Sequence, residues 1–352
     1  MLFPFVAALR HLLLLPVVGV LLAGCQSSDH QWSLQSQASA TSIDFIELTH
    51  MTDNIRLMSQ GRLDIIAVSS GVITGGPDIY SAVKEGRIEM GNGWPNWWSG
   101  NHPAWAVMNA GPFEFMNIDA SLMFFIAGEG THLANELSRP DGIIWRPAWW
   151  PGMEFGLLSS QPINGLADLE GKRVRIGPGL PSEILAAASG AATIPLVPEE
   201  IKPALESGAL DAVEWTTTAG AWDLGLGDSA QYAIVPAIWQ PAVLSDFLIN
   251  AAAFNELPED LQAILMTAIQ SYTLTTTAKA KVQDFAALEK FRAQGTQITT
   301  WSPEDIDIWR TKSEQIHQQY SDRDPFTGRL LAEKRRLKER YDDYYQVFGA
   351  YE

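Results

Sequence analysis

Short apolar runs alternate with helical segments along the chain, and one such arrangement occurs twice. Residues 63–71 form an apolar run of strand length, which predicts a buried strand. Residues 77–86 have the length and the C-terminal glycine of a short helix, and residues 87–91 predict a strand after it. The same order of helix, glycine and strand returns in residues 198–208 and 209–214. The pattern predicts an α/β protein with two lobes built on one plan.

Other segments extend this plan. An alternating first strand is predicted at residues 32–36, a strand pair within residues 143–159, and a strand at residues 169–177 that ends in a Gly-Pro-Gly turn. A helix is predicted from Pro181. Beyond Phe254 the pattern changes to long amphipathic helices, which are predicted at residues 258–291, 303–320 and 327–345.

The N-terminus has the layout of a secretory signal. Residues 1–24 contain Arg10 and then an apolar run of about a dozen residues, which is shorter than the ~20 residues that span a bilayer. Cys25 ends a Leu-Ala-Gly-Cys sequence that resembles the bacterial lipobox, so lipidation of Cys25 is predicted; the alternative is an ordinary signal with an incidental cysteine. Either interpretation predicts a periplasmic protein, with residues 25–40, rich in Gln and Ser, as a tether.

Composition excludes several classes of function. The 352 residues carry a formal net charge of -17, which disfavours nucleic acid and a polybasic lipid-binding surface. A single cysteine rules out an internal disulfide and a Cys-type zinc site, and the six histidines show no HExxH spacing. The Gly-rich segments lack the complete P-loop and dinucleotide patterns, and no Gly-x-Ser-x-Gly occurs. Ten of the 13 tryptophans lie between Trp94 and Trp239, which suggests an aromatic-lined cavity.

Arg175 is the first candidate binding residue. It lies on a predicted strand just before two glycines, Gly177 and Gly179, which allow a ligand to approach the backbone. A guanidinium offers a planar pair of donors that matches a carboxylate. The alternative is an internal salt bridge to one of the many acidic residues, and the spacing leaves both interpretations open.

Carboxylate and aromatic residues provide further candidates. Glu214 and Trp215 end the strand of the second lobe, where ligands of open α/β sheets collect. Carboxylate, amide and backbone oxygens are the ligands of hard cations such as Ca²⁺ or Na⁺, although a single Glu such as Glu154 is usually a surface residue. Trp97 and Trp98 belong to a segment that could simply be core, but adjacent side chains of a strand cannot both point inward, so at least one ring should reach a cavity or another layer.

At these residues the chain resembles the substrate-binding subunits of TRAP transporters, the DctP-like family. The resemblance covers nearly all of the mature length and implies two lobes of the periplasmic-binding-protein kind, with a long helix across both lobes within residues 258–291. Its motifs occur in order: WSLQS from Trp32, GRLDI from Gly61, AVKEGRIEMG from Ala82, WSGNHPA from Trp98, Pro112-Phe113, GKRVRIG from Gly171 and ALESGALDAVE from Ala204.

The resemblance also implies a site. Arg175 would clamp the carboxylate of a small organic acid, and the form with Glu214-Trp215 is similar to the subgroup that binds 2-oxo or 2-hydroxy acids together with a cation, Ca²⁺ or Na⁺. The implied cation ligands are Glu154, Glu214, the Trp215 carbonyl and Gln240, and the implied substrate contacts are Arg175, Glu154, Trp215, Trp97, Trp98 and Asn96. The family has Gln at the position of Glu154 and Glu at the position of Gln240, so the exchange keeps the charge of the site.

The implied organisation places lobe I in residues 41–150 and 241–280, and lobe II in residues 151–240 and 281–320. Residues 321–352 would form a C-terminal helix with a possible homodimer contact, and the partner of the loaded protein would be a membrane permease. Such a protein is not an enzyme. The main rival is a secreted glycoside hydrolase that uses Glu154 and Glu214, and the second is a lipoprotein scaffold that binds only another protein.

Overall fold

The computed structural model describes residues 29–109 and 111–349. The predicted signal segment and Cys25 lie outside the described residues. Within the described part, no helix is long and apolar enough to cross a membrane.

The described residues form strands and helices throughout. The strands are β1 (His30–Ser36), β2 (Leu63–Val68), β3 (Met90–Gly93), β4 (Ile143–Gly152), β5 (Leu157–Ser159), β6 (Arg173–Arg175), β7 (Ala192–Ile194), β8 (Ala212–Glu214), β9 (Tyr232–Val235), β10 (Val243–Asn250) and β11 (Gln297–Thr300). The helices are α1 (Ile43–Met58), α2 (Ile79–Lys84), α3 (Pro103–Met108), α4 (Ile118–Leu122), α5 (Gly130–Ser138), α6 (Leu180–Ser189), α7 (Pro198–Glu206), α8 (Thr218–Asp223), α9 (Leu226–Ser229), α10 (Ala251–Glu256), α11 (Glu259–Gln294), α12 (Pro303–Arg323) and α13 (Pro325–Phe348).

The strands build two sheets, which define the two lobes. The sheet of lobe I has the order β2-β1-β3-β10-β4, and the sheet of lobe II has the order β11-β9-β5-β8-β6-β7. In lobe I β1 pairs in parallel with β2 and β3, and in lobe II β6 pairs in parallel with β7 and β8. The predicted α/β fold with two lobes is therefore confirmed.

The repeated unit of the sequence has the same structure in both lobes. Helix α2 leads through Gly86 to β3, and helix α7 leads through Gly208 to β8. Both glycines adopt positive φ, +69° and +72°, a backbone conformation that side chains with a Cβ disfavour. The two strands begin a few residues later than the sequence predicts, and each ends at the cleft between the lobes.

The long helix α11 joins the lobes. It packs against α1 and β4 of lobe I and against α8 of lobe II. Buried residues occur along its whole length, from Leu261 to Phe291. The prediction of a helix that crosses both lobes is confirmed. The C-terminal helices α12 and α13 pack against each other, α12 also against α6 and α13 also against α3 and α4.

The strand predicted at residues 32–36 is confirmed as part of β1, in the interior of the first sheet, so the tether prediction is wrong for residues 30–36. Polar composition misled the prediction, because these polar side chains are buried with their hydrogen bonds satisfied. The Gln35 amide donates to the carbonyl oxygens of Ser36 and Ser69 at 2.6 and 2.7 Å, and the Ser36 hydroxyl donates to Asn92 Oδ1 at 2.9 Å. Such pairing removes most of the cost of burying polar groups.

Candidate functional site

The cleft between the lobes encloses a small cavity of about 30 Å³. It lies where the carboxyl ends of β3, β6 and β8 meet, so short strands from both lobes deliver side chains to one place. Its walls contain every predicted site residue of the described chain except Trp98: Asn96, Trp97, Glu154, Arg175, Glu214, Trp215 and Gln240, together with Trp94, Gly177 and Thr216.

Arg175 occupies the end of β6 and is only 2% exposed. Its Nη1 donates to the carbonyl oxygen of Glu214 at 2.7 Å and to Glu214 Oε2 at 3.0 Å, while Nε and Nη2 donate to the Leu196 carbonyl. Its guanidinium lies 4.8 Å from the centre of the Trp215 ring. Arg175 thus forms an internal salt bridge, as one interpretation predicted, and it also lines the cavity where the other interpretation places a ligand. One of its five N–H donors remains for a ligand.

Glu154 and Glu214 form a buried pair of carboxyl groups, 5% and 3% exposed. Glu214 accepts hydrogen bonds from Arg175 and from the backbone N–H groups of Gly177 and Thr216, both at 3.2 Å. Glu154 has one oxygen, Oε2, without a hydrogen-bond partner. Burial first, and then the negative charge of Glu214, hold the pKa of Glu154 well above its usual range.

A cation would suit this donor set. Two buried carboxyl groups face a single guanidinium, and the unpartnered Glu154 Oε2 is an available ligand atom. Gln240, 5% exposed, and Trp215 line the same cavity, so the Gln240 side chain and the Trp215 carbonyl would be the neutral oxygens of such a site. Carboxylates with amide and backbone oxygens match Ca²⁺ or Na⁺. In the described chain no three His, Cys, Asp or Glu residues cluster as metal ligands, so such a cation would depend on these mixed oxygens.

Lobe I contributes neutral groups. The Asn96 side chain donates to the Pro178 carbonyl of lobe II at 2.7 Å, so it links the lobes beside the cavity. Trp97 lines the cavity with its ring packed on Gly76, where an added Cβ would lie 2.0 Å from the ring.

The prediction that Trp98 contacts the substrate is wrong. Its side chain is fully buried in the core, and its indole N–H donates to Asp246 Oδ2 at 2.9 Å. The two neighbouring tryptophans lie in a 3₁₀ turn, Pro95–Trp98, and point to different layers. The expectation that at least one ring reaches a cavity is met by Trp97.

Trp94 is a wall residue that the sequence reasoning missed. It directly follows β3, as Trp215 directly follows β8, and both rings line the cavity. The internal repeat contained the signal, since equivalent positions after the two strands carry the same residue type. Thr216 was also missed; its backbone has a φ of +36°, which the sequence does not reveal.

The geometry does not suit glycoside cleavage. Glu154 and Glu214 are both buried in the walls of one cavity of about 30 Å³, and the charge of Glu214 acts on Glu154, whereas glycosidases hold their two carboxyl groups ~5–9.5 Å apart on either side of a sugar ring. Arg175 also binds Glu214 directly. The hydrolase interpretation therefore has no support in the arrangement of the site.

Comparison with known proteins identifies the family. Residues 34–324 match the model of the bacterial extracellular solute-binding protein family 7, DctP. A monocarboxylate 2-oxoacid-binding periplasmic protein of Nostoc is 27% identical over 295 residues, which are 84% of this chain and 80% of that protein.

Two solved structures share the fold. A TRAP transporter solute-binding protein from Bordetella bronchiseptica, a mixed-occupancy dimer with calcium and picolinate, is 21% identical with a TM-score of 0.86 and covers 91% of this chain and 95% of its own. A TRAP periplasmic solute-binding protein from Pseudoalteromonas atlantica with bound sodium and pyruvate is 24% identical with a TM-score of 0.85, and covers 90% and 96%.

The chain belongs to the DctP family of bacterial extracellular solute-binding proteins. It is a substrate-binding receptor of a transport system that acts outside the cytoplasm, and not an enzyme. The resemblance to TRAP substrate-binding subunits is confirmed.

Proposed function

We propose that the protein captures a small 2-oxo or 2-hydroxy monocarboxylate in the cleft, with a cation, and delivers it to a membrane permease. The observation that carries this proposal is the buried group of Arg175, Glu154 and Glu214 in one cavity. The names of the Nostoc and Pseudoalteromonas proteins, which refer to 2-oxoacids and to pyruvate with sodium, support the same ligand class.

Charged, polar and aromatic residues would each bind a different part of the ligand. Arg175 would direct its remaining N–H toward the ligand carboxylate, a charge-assisted bond of about 1.5–3 kcal/mol. Glu154, Glu214, Gln240 and the Trp215 carbonyl would hold Ca²⁺ or Na⁺, and the cation supplies positive charge for the 2-oxo or 2-hydroxy oxygen. The apolar part of the ligand would lie against the rings of Trp97 and Trp215.

Closure of the lobes accounts for recognition by the permease. Asn96 of lobe I donates to the Pro178 carbonyl of lobe II at 2.7 Å, so the lobes are in contact beside the cavity in this structure. Hinge closure around a ligand is the usual response of two-lobed binding proteins. The closed, loaded form would therefore present both lobes together to the permease.

Calorimetry with lactate and pyruvate tests the ligand class. The protein purified with calcium or sodium is expected to bind both acids, and exhaustive removal of the cation should weaken the binding. Native mass spectrometry should detect a retained acid and cation in fresh preparations. Failure of every small monocarboxylate to bind the cation-loaded protein would refute the proposal.

We also propose that two copies associate through α13. Its last turns expose Tyr344 (54%) and Phe348 (62%), whose rings stack with centroids 4.6 Å apart. Replacement of both residues by Ser should convert a dimer into a monomer in light scattering, without loss of acid binding. A wild-type monomer at all concentrations would contradict this contact.

Anchoring through Cys25 remains a proposal from the sequence. If the cysteine is lipidated, the protein expressed in a bacterium should sediment with membranes, and Cys25→Ser should release it. An equal soluble fraction for both forms would contradict the anchor.

A further inference from the structure

A second cavity adjoins the first and is much larger, about 240 Å³. The two cavities share Trp94, Trp215 and Thr216 as common walls. On the side of lobe I it is lined by the segment that follows β1, and on the side of lobe II by the start of α8. The second cavity is therefore a direct neighbour of the cavity that contains Arg175.

Two buried polar atoms in the walls of the second cavity lack partners. They are Oε1 of Gln37 and Nε1 of Trp149, on side chains that are 2% and 3% exposed. A buried polar group without a hydrogen bond costs about 1–3 kcal/mol. Both atoms have almost no accessible surface in this structure, so the two side chains must turn toward the cavity for a ligand to satisfy them and recover this cost.

The positions of both groups are fixed by the fold. The backbone N–H of Gln37 donates to the Asn92 carbonyl at 3.1 Å, which continues the pairing of β1 with β3. Trp149 belongs to β4, and its ring lies 6.3 Å from that of Trp94. The Gln37 amide can turn about its last torsion and present either oxygen or nitrogen. A hydroxyl, which both donates and accepts, fits either orientation.

The charges around this cavity are negative or absent. Asp44 and Asp223 belong to its walls, and no lysine or arginine among the described residues does. A second carboxylate on the ligand would face these acids without a cationic partner. The second cavity therefore disfavours dicarboxylates and favours an uncharged polar end.

We propose that the second cavity is a distal subsite for the same ligand, and that the solute is a 2-oxo or 2-hydroxy monocarboxylate whose chain ends in an uncharged hydroxyl or amide. This inference rests on the proposed function, because it takes the carboxylate end to be held at Arg175. Gln37 and Trp149 bind the distal group, and Trp94 and Trp215 enclose the chain between the two ends.

Matched ligands test the subsite by calorimetry on the cation-loaded, full-length mature protein. The four-carbon set is 2-hydroxybutanoate, 2,4-dihydroxybutanoate and malate, which differ only in an apolar, hydroxyl or carboxylate end; the five-carbon set is 2-hydroxypentanoate, 2,5-dihydroxypentanoate and 2-hydroxyglutarate. In at least one set, the ligand with the distal hydroxyl is expected to bind at least about tenfold more tightly than both companions, as one satisfied buried group allows.

Variants then locate the effect. Gln37→Leu and Trp149→Phe should each abolish most of the advantage of the distal hydroxyl and leave the affinity for 2-hydroxybutanoate unchanged. Trp309→Phe is the matched control, since Trp309 Nε1 is also buried and unpartnered but belongs to α12, and it should change neither affinity. If one variant fails to fold, the other still gives the comparison.

The outcomes separate the two proposals. Three results would overturn the subsite and leave the proposed function standing. They are equal affinity of the wild-type protein for ligands with apolar and hydroxyl ends, tighter binding of the dicarboxylates, and an equal loss of affinity for all ligands in both variants. Absence of binding by every acid, with lactate and pyruvate included, would overturn the proposed function and the subsite with it.

Discussion

Each lobe buries acidic side chains near the cleft, and the two lobes stabilise them differently. In lobe II, Glu154 and Glu214 lie in a cavity beside Arg175. In lobe I, Asp246 is fully buried and accepts hydrogen bonds from the indole N–H groups of Trp98 and Trp145 at 2.9 and 2.6 Å. Glu154 and Glu214 are next to a cavity and to oxygens that would suit a cation, whereas Asp246 is enclosed by neutral rings.

The difference suggests two roles: Glu154 and Glu214 would bind ligand directly, whereas Asp246 positions residues that line the cavity. Asp246 holds Trp98, and Trp98 belongs to the same 3₁₀ turn as Asn96 and Trp97. Lobe I therefore contributes neutral groups from a turn that the hydrogen bond between Trp98 and Asp246 holds to the core. Lobe II presents the charges directly, and we infer that it binds the charged end of the ligand before lobe I covers it.

The largest effect is expected from Arg175→Ala. The substitution removes the guanidinium that would bind the ligand carboxylate. It also leaves Glu154 and Glu214 buried without the positive charge of Arg175, which typically costs about 3–5 kcal/mol of folding stability. Acid binding should be lost in calorimetry, and urea unfolding should show the lower stability. Arg175→Lys is the control that keeps the charge; wild-type affinity in Arg175→Ala would refute the clamp.

A slightly smaller effect is expected at Asp246. Burial raises the pKa of Asp246 to about 7, above the usual value near 4 of an unfolded chain. The folded state therefore holds an extra proton between these values, and stability falls as pH rises from about 4 to 7. Asp246→Asn, which stays neutral, should be more stable at pH 8 by up to about 4 kcal/mol.

Urea unfolding from pH 4 to pH 8 checks this expectation. The wild-type protein and Asp246→Asn should differ little at pH 4 and diverge as the pH rises. Parallel pH profiles for the two proteins would show that the Asp246 carboxyl is not the source of the pH dependence.

The next largest effect is expected when the proposed cation ligands of lobe II are changed. Glu154→Gln removes one charged ligand and should weaken calcium or sodium binding by roughly tenfold or more, because the number of charged ligands sets affinity. The double variant Glu154→Gln with Gln240→Glu restores the charge in the arrangement that the family resemblance implies, and it should recover most of the affinity in calorimetric titration. No difference among the three proteins would remove these residues from the cation site.

The smallest effect is expected from lobe I. Asn96→Ala deletes the hydrogen bond to Pro178 across the cleft, which contributes about 1 kcal/mol, or roughly fivefold in ligand affinity. Calorimetry with the acid that binds best measures it. Asn164→Ala, an exposed amide of lobe II whose side chain contacts Asp168, should have no effect, and equal losses in both variants would argue against a specific link.

Local patterns predicted most of the architecture. The repeat of helix, glycine and strand depends on short-range preferences and on the positive φ of Gly86 and Gly208, so it was visible in the sequence. The long helix α11 was also predicted close to its observed bounds. The alternation at residues 32–36 predicted most of strand β1. The same residues were also assigned to a tether, because their polar side chains find partners elsewhere in the fold and only the assembled sheet satisfies them.

The site was predicted less completely. Chemistry and the family resemblance named Arg175, Glu154, Glu214 and Gln240, and the structure brings all four to one cavity. The direction of a side chain in a turn depends on the backbone, so Trp98 was placed in the wrong layer. Gln37 and Trp149 were not singled out, because an unpartnered buried atom is defined only by its surroundings.

The sequence alone determined two α/β lobes, a helix that crosses them and an inventory of charged and aromatic residues at strand ends. These properties follow from periodicity, glycine geometry and residue chemistry, which are local. Only the tertiary structure decided that Arg175 is both salt-bridged and at the cavity, that Trp97 and Trp98 separate, and that a second cavity shares three wall residues with the first. Contacts between residues far apart in the chain depend on how both lobes pack, and no local pattern specifies that packing.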